Sequence, residues 1–138
     1  MVAAMAAEAS DDWWIIGSAA IALHGFPVTP VRDVDLLMSA RDAEIFMKRV
    51  GGGGRTGPPS AKFRSAVFGT WRAPPLPVEV MGGFALAAAN GWQPVVPRSR
   101  EAKRVGDQEL FVPSVPDLKA MLMAFGRPKD LERALLVS

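Results

Sequence analysis

The segment Val31 to Met38, reading Val-Arg-Asp-Val-Asp-Leu-Leu-Met, limits the folds open to this chain more than any other stretch. Its alternation predicts a strand, and a strand points residues i and i+2 to the same side, about 6.6 Å apart. Asp33 and Asp35 therefore share a face. Val31, Val34, Leu36 and Leu37 make the strand apolar enough to be central to a sheet rather than peripheral. Two carboxylates held side by side there repel each other, and burying them without a counter-charge is costly. A divalent cation is the expected partner.

A third acid has the same character. Glu79 lies within Val78-Glu79-Val80, in a strand predicted over Leu76 to Met81 and closed by Gly82-Gly83. An isolated Glu in such a run is unfavourable without a cation. If the two strands are neighbours, Asp33, Asp35 and Glu79 converge. Upstream, Trp13 to Ile16 predicts a short buried strand that stops at Gly17. Ser18 then N-caps a short helix, Ala19 to Leu23. A glycine at the end of a strand lets an anion approach the backbone, and a following serine and helix N-terminus can bind it.

The rest of the chain reads as alternating strands and helices. Ser39 caps a helix over Ala40 to Val50 with Ile45, Phe46 and Val50 on its apolar face. Gly51 to Ser60 is a flexible Gly/Pro-rich connector; it lacks the Gly-Lys-Ser/Thr ending of a phosphate-binding P-loop. Phe63 to Trp71 is a further strand, and Pro94 to Pro113 holds two strands about a turn at Gly106-Asp107. Ser114 caps a helix to Phe125 whose buried face is Leu118, Met121, Leu122 and Phe125. Gly126 ends that helix, and Pro128 opens a last one through Val137. The expectation is a single α/β (α+β) domain over residues 1–138, with a mixed sheet of four to six strands flanked by helices and a C-terminal helical pair.

Composition narrows the function classes. The 138 residues contain no cysteine, which excludes disulfides, thiolate catalysis and Cys-ligated zinc. A net charge of +2 gives no strong field for a long nucleic-acid footprint, although a small contact with an RNA end stays open. The Ala-rich start, Met1 to Ser10, lacks a basic n-region and carries Glu8, with Asp11 and Asp12 following, so it does not read as a signal peptide, and no apolar run approaches the ~20 residues of a membrane span. A cytoplasmic protein without membrane contact is expected.

Gly17-Ser18, a spacer of fourteen residues, Asp33-Val34-Asp35 and a later Val78-Glu79-Val80 resemble the hG[GS]…Dh[DE]h…h[DE]h signature of the DNA polymerase beta-type nucleotidyltransferase superfamily. The run IIGSAAIALHG…RDVDLLM, together with GRPKDLERALL, is similar more narrowly to small bacterial nucleotidyltransferases, many of them toxins of toxin–antitoxin pairs. The resemblance spans Trp13 to Leu136. It implies that Asp33, Asp35 and Glu79 are catalytic and hold two Mg²⁺ ions, with Glu79 helping to activate the attacking hydroxyl. Gly17 and Ser18 would contact the phosphates of an NTP. Arg127, Lys129 and Asp130 match the family's RxKD and would lie near the nucleotide. The implied reaction moves a nucleoside monophosphate from an NTP to a hydroxyl on an RNA end or a protein, with a cognate antitoxin as partner. Relatives carry a Lys in the preceding helix where this chain has Leu122, and Lys119, one turn earlier, is the expected substitute.

Other readings of the same residues stand beside these. Arg127 with Asp130, or Asp130 with Arg133, fits an ordinary i, i+3 helix pair. Arg32 points away from Asp33 and can be a surface ion-pair partner. His24, the only histidine, is a helix-end residue rather than a catalyst, and the four tryptophans read mostly as core or boundary residues, Trp92 being the one that could instead stack on a base. The same acids would also serve a metal-dependent nuclease or phosphohydrolase, and the same fold a nucleotide- or partner-binding module with weakened chemistry.

Overall fold

Two residue faces on one small sheet organise the molecule. The computed structural model describes residues 2–28, 30–51 and 60–137, so the connector expected at 51–60 lies almost wholly outside the described residues. Strands β1 (Trp14–Ile16), β2 (Val34–Met38), β4 (Val67–Trp71) and β5 (Val78–Gly82) form a mixed sheet in the order β1-β2-β5-β4. β2 and β5 are parallel, with Asp35 opposite Glu79 and Leu36 opposite Val80; the outer pairs are antiparallel. Along β2 and β5 the even-numbered residues Leu36, Met38, Val78 and Val80 enter the main core. The odd-numbered Leu37 and Met81 turn to the other face, into a second cluster with Trp14, Ile16, Met121 and Phe125. Asp33, Asp35 and Glu79 carry that odd-numbered face past the end of the apolar cluster, as period-2 geometry requires.

Helices α1 (Val2–Ala6), α2 (Gly17–Leu23) and α3 (Ala40–Arg49) supply Ala6, Ala20, Ile21, Ala43, Phe46 and Met47 to the main core. α3 starts where expected: the Ser39 hydroxyl accepts the Asp42 N–H. Buried Asp42 in turn accepts the N–H groups of Ser10 and Asp11, at 3.1 and 2.8 Å, and ties the N-terminal segment down. The packing of α3 on β5 is close. A Cβ on Gly82 would come within 2.4 Å of Ala43 Cβ. Ile45 departs from the expected apolar face and is 49% exposed, because the helix turns Phe46 and Met47 inward and carries their neighbour round to solvent.

Helices α4 (Val115–Phe125) and α5 (Pro128–Leu136) form the C-terminal pair. Ser114 caps α4 through the Asp117 N–H, and Leu118, Met121, Leu122 and Phe125 are all buried. Gly126 takes the left-handed conformation, φ 68°, that terminates α4 and lets α5 begin two residues later. A hairpin of β8 (Glu101–Val105) and β9 (Gln108–Val112) turns at Gly106 and Asp107, and places Leu110 and Val112 in the core. No helix among the described residues is long and apolar enough to cross a membrane.

Three expectations about these elements need correction. The acid-bearing strand begins at Val34 rather than Val31, which leaves Asp33 on the segment that leads into it. Ser18 does not cap α2: the helix begins at Gly17, Ile16 holds the cap position, and Ser18 lies in the first turn. The run Phe63 to Trp71 is two strands, broken at Ser65-Ala66. β3 (Phe63–Arg64) leaves the main sheet and pairs with β6 (Ala85–Ala88), which pairs with β7 (Gly91–Pro94). That last hairpin was not anticipated, since an Ala-rich segment has little intrinsic strand preference and is held by its partners.

Candidate active site

The odd-numbered face of β2 and β5 opens into a cleft of about 1000 Å³. Asp33, Asp35 and Glu79 line it together with Ile16, Gly17 and Ser18 and with residues of α5 that include Lys129 and Arg133. All the residues singled out by motif, Gly17, Ser18, Asp33, Asp35, Glu79, Arg127, Lys129 and Asp130, line this one cavity. Phe63, Met81, Phe84, Leu122 and Phe125 add an apolar wall to the lining.

The three acids crowd one another. Asp35 and Glu79 are register partners on adjacent parallel strands, and Glu79 shares a side-chain hydrogen bond with Asp33. Burial, followed by the charges of Asp33 and Glu79, pushes the Asp35 carboxyl up from 3.8 to about 7, against the opposing pull of Lys129 and Arg133. Glu79 is raised as well, chiefly by burial and by Asp33, while Arg72 and Lys129 oppose the shift. Gly17 adopts φ 68°, and a Cβ at that position would stand 2.9 Å from Asp35 Oδ2. The glycine is therefore needed for the carboxylate's own space.

Asp33, Asp35 and Glu79 are cleft residues that could contribute to holding a cation. Among the described residues no group of three or more His, Cys, Asp or Glu is placed, as it stands, to hold a metal ion. Mg²⁺ is taken by a few carboxylates that leave its other positions to phosphate oxygens and water. Carboxylates facing an open cleft are of the kind that Mg²⁺ shares with phosphate and water, and the described lining offers no His or Cys for Zn²⁺.

The cations that act on Asp35 and Glu79 come from α5 and from Arg72, just after β4. Lys129 and Arg133, four residues apart, lie one above the other on a helix and both act on Asp35. Arg133 and Arg72 were not anticipated as site residues; the i, i+4 spacing from Lys129 was the available signal for Arg133. Arg127 and Asp130 are engaged with each other. Asp130 is 1% exposed and accepts from the Arg127 backbone N–H at 3.2 Å, Nε at 2.6 Å and a terminal nitrogen at 3.0 Å. The i, i+3 pair reading of these two residues is therefore the one the geometry favours.

Other candidates fall outside the chemistry. Lys119 is exposed and does not line the cleft, where Leu122 does, so it does not stand in for the missing lysine. Arg32 lines the cleft beside Asp33 instead of pointing away. His24 Nε2–H donates to the Pro113 carbonyl at 2.7 Å, a helix-end contact. Trp92 lies under the Arg64 guanidinium, 4.6 Å from its ring centre, on β7.

No protein-family model matches the sequence, and no curated protein matches it. Solved structures do match its shape. TM1012 of Thermotoga maritima, provisionally named a nucleotidyltransferase, aligns with TM-score 0.77 at 20% identity, over 95% of this chain and 84% of its own. ANT(2″)-Ia in complex with adenylyl-2″-tobramycin aligns with TM-score 0.56 at 16% identity, over 96% of this chain and 81% of its own. The solution structure of the same antibiotic-resistance factor gives 0.56 at 15% identity, over 96% and 76%. The chain thus has a nucleotidyltransferase-type fold, with its cleft built on the two parallel strands that carry the acids.

Proposed function

We propose that this cleft binds an Mg²⁺–NTP complex and transfers the nucleoside monophosphate to a hydroxyl acceptor. The observation that carries the reading is the juxtaposition of Asp35 and Glu79 on adjacent strands, with Asp33 beside them and Lys129 and Arg133 opposite. Asp33, Asp35 and Glu79 would hold two Mg²⁺ ions, which supply charge stabilisation to the attacking and leaving oxygens. Gly17, Ser18 and the start of α2 border the space for the triphosphate. Lys129 and Arg133 offset its negative charge from the other side.

Glu79, completing the acid set, would help to activate the attacking hydroxyl. The acceptor oxygen forms a bond to the α-phosphorus, the bond from that phosphorus to the bridging oxygen breaks, and pyrophosphate leaves with the bonding pair.

The acceptor we assign is a hydroxyl of an RNA end or of a protein, and the setting a cytoplasmic toxin countered by a cognate antitoxin. Support for this finer reading is the resemblance of the Gly17–Asp35 and Arg127–Asp130 segments to such toxins. The test is incubation with labelled NTPs, Mg²⁺ and candidate acceptors. Label on an acceptor that disappears in Asp35→Ala supports transfer. Phosphodiester cleavage without label transfer points to a nuclease instead, and NTP binding without turnover on any acceptor points to a binding module.

A further inference from the structure

We propose that Arg127 and Asp130 do not contact the nucleotide but form a clasp that positions α5, and with it Lys129 and Arg133, over the acids. The inference rests on the nucleotide reading above only for what the two cations bind; the clasp itself stands on the geometry of the free protein.

The Arg127 guanidinium has two fixed partners. One is the Asp130 carboxylate, which it grips through Nε and a terminal nitrogen in a two-pronged arrangement at 2.6 and 3.0 Å. The other is the Phe63 ring, whose centre lies 4.7 Å from the guanidinium carbon. Phe63 is itself held by Phe84, stacked at 5.6 Å, and by Phe125, edge-on at 5.5 Å. Phe125 ends α4, and Arg127 is the residue before α5, so the clasp closes a short circuit from α4 through the aromatic wall to the start of α5.

Asp130 has little left to offer a ligand. It is almost wholly buried and accepts the Arg127 N–H as well as the guanidinium, which fixes the first turn of α5 at both its backbone and its side chain. Lys129 sits between the two clasp residues in the chain, and Arg133 follows one turn later. Their direction is thus set by where the clasp holds the helix. Burying a carboxylate is costly unless it is paired, so loss of either partner releases the turn rather than merely removing one contact.

Arg127→Lys separates positioning from direct contact, because lysine keeps the charge and loses the planar fork. Titration calorimetry with Mg²⁺ and each of the four NTPs gives the affinity of the wild type, Arg127→Lys, Arg127→Ala, Asp130→Asn, Lys129→Ala and the Asp130→Asn/Lys129→Ala double variant. The expected result is that Arg127→Lys and Arg127→Ala weaken binding alike, by roughly tenfold. Lys129→Ala should add little in the Asp130→Asn background, because its side chain is already misplaced. Retention of most affinity by Arg127→Lys, or additive losses in the double variant, overturns the clasp.

A second measurement does not need a nucleotide. Lysines are reductively dimethylated with ¹³C, and the Lys129 signal is assigned by its loss in Lys129→Arg. That signal should shift in Arg127→Lys and in Asp130→Asn, with thermal melting used to verify that the variants are folded. An unmoved Lys129 signal in a folded Arg127→Lys protein overturns the clasp, whatever the nucleotide result. A wild type that binds no NTP while its Lys129 signal responds as expected leaves the clasp standing and removes the nucleotide reading instead.

Discussion

The space occupied by the Asp35 carboxylate is the space that a side chain on Gly17 would fill, since a Cβ there would lie 2.9 Å from Oδ2. Gly17 also holds φ 68°, a conformation that costs an L-residue about 1–2 kcal/mol. Gly17→Ala therefore carries two penalties, one in the backbone and one in the placement of the acid. We expect a lower melting temperature and a fall of about 10²-fold in label transfer, the scale of a misplacement near 1 Å. Transfer at the wild-type rate by Gly17→Ala would show that the carboxylate position is not critical.

Asp35 makes stability depend on pH. Its folded pKa of about 7 stands above the ordinary 3.8, so the folded protein holds this proton more tightly than the unfolded chain. The resulting stabilisation is complete below pH 3.8, declines as pH rises, and is gone above pH 7. Asp35→Asn cannot ionise. It should flatten this slope and stabilise the metal-free protein at pH 8 on the order of 2 kcal/mol, less than a fully sealed carboxyl would give because Asp35 borders an open cleft. Urea melts at pH 5 and pH 8 measure the difference, and equal slopes in both proteins would contradict it.

Mg²⁺ should reverse that dependence. A cation favours the ionised acids, so millimolar Mg²⁺ is expected to raise the melting temperature at pH 8 more than at pH 5.5, with chelation restoring the metal-free value. The Asp35→Asn protein should show a smaller Mg²⁺ response. A response of equal size at both pH values would mean that the ion binds elsewhere.

Lys129 and Arg133 oppose the upward shift of Asp35, so Lys129→Ala and Arg133→Ala should each raise the pH at which it ionises. Carboxyl ¹³C titration reads this directly. Both variants should also bind NTPs more weakly, as loss of a cation facing a phosphate requires. An unchanged Asp35 titration in both would place these side chains away from the acid.

Leu36 has no exposed surface and faces the main core, one residue from the acid that faces the cleft. Leu36→Ala should cost about 2–4 kcal/mol of stability. At temperatures where the variant remains folded, its Mg²⁺ and nucleotide affinities should be close to those of the wild type. A large loss of affinity in a folded Leu36→Ala protein would count against separate roles for the two faces.

Much of this arrangement was legible in the order of residues. Asp33, Asp35 and Glu79 stood out because carboxylates embedded in Val and Leu violate the apolar pattern around them, and Ser39, Ser114, Gly126 and Pro128 marked the helix ends correctly. The parallel pairing of β2 with β5 was not readable, because nearly forty residues separate the strands and their contact is decided by tertiary packing. The split at Ser65-Ala66 and the β6–β7 hairpin escaped for a related reason: neither has a periodic pattern strong enough to outweigh its neighbours. Arg127 and Asp130 matched a motif by identity alone. Their mutual hydrogen bonds, which depend on side-chain geometry, assign them to each other.

The alternation along β2 and β5 has an evolutionary reading. Even-numbered positions such as 36, 78 and 80 are answerable to the core, whereas 33, 35 and 79 are answerable to the cleft. Selection on what the cleft recognises can therefore act on one set of codons while selection for a folded chain acts on the interleaved set. Descendants of such a protein can exchange substrates, or lose chemistry altogether, without first having to rebuild the scaffold.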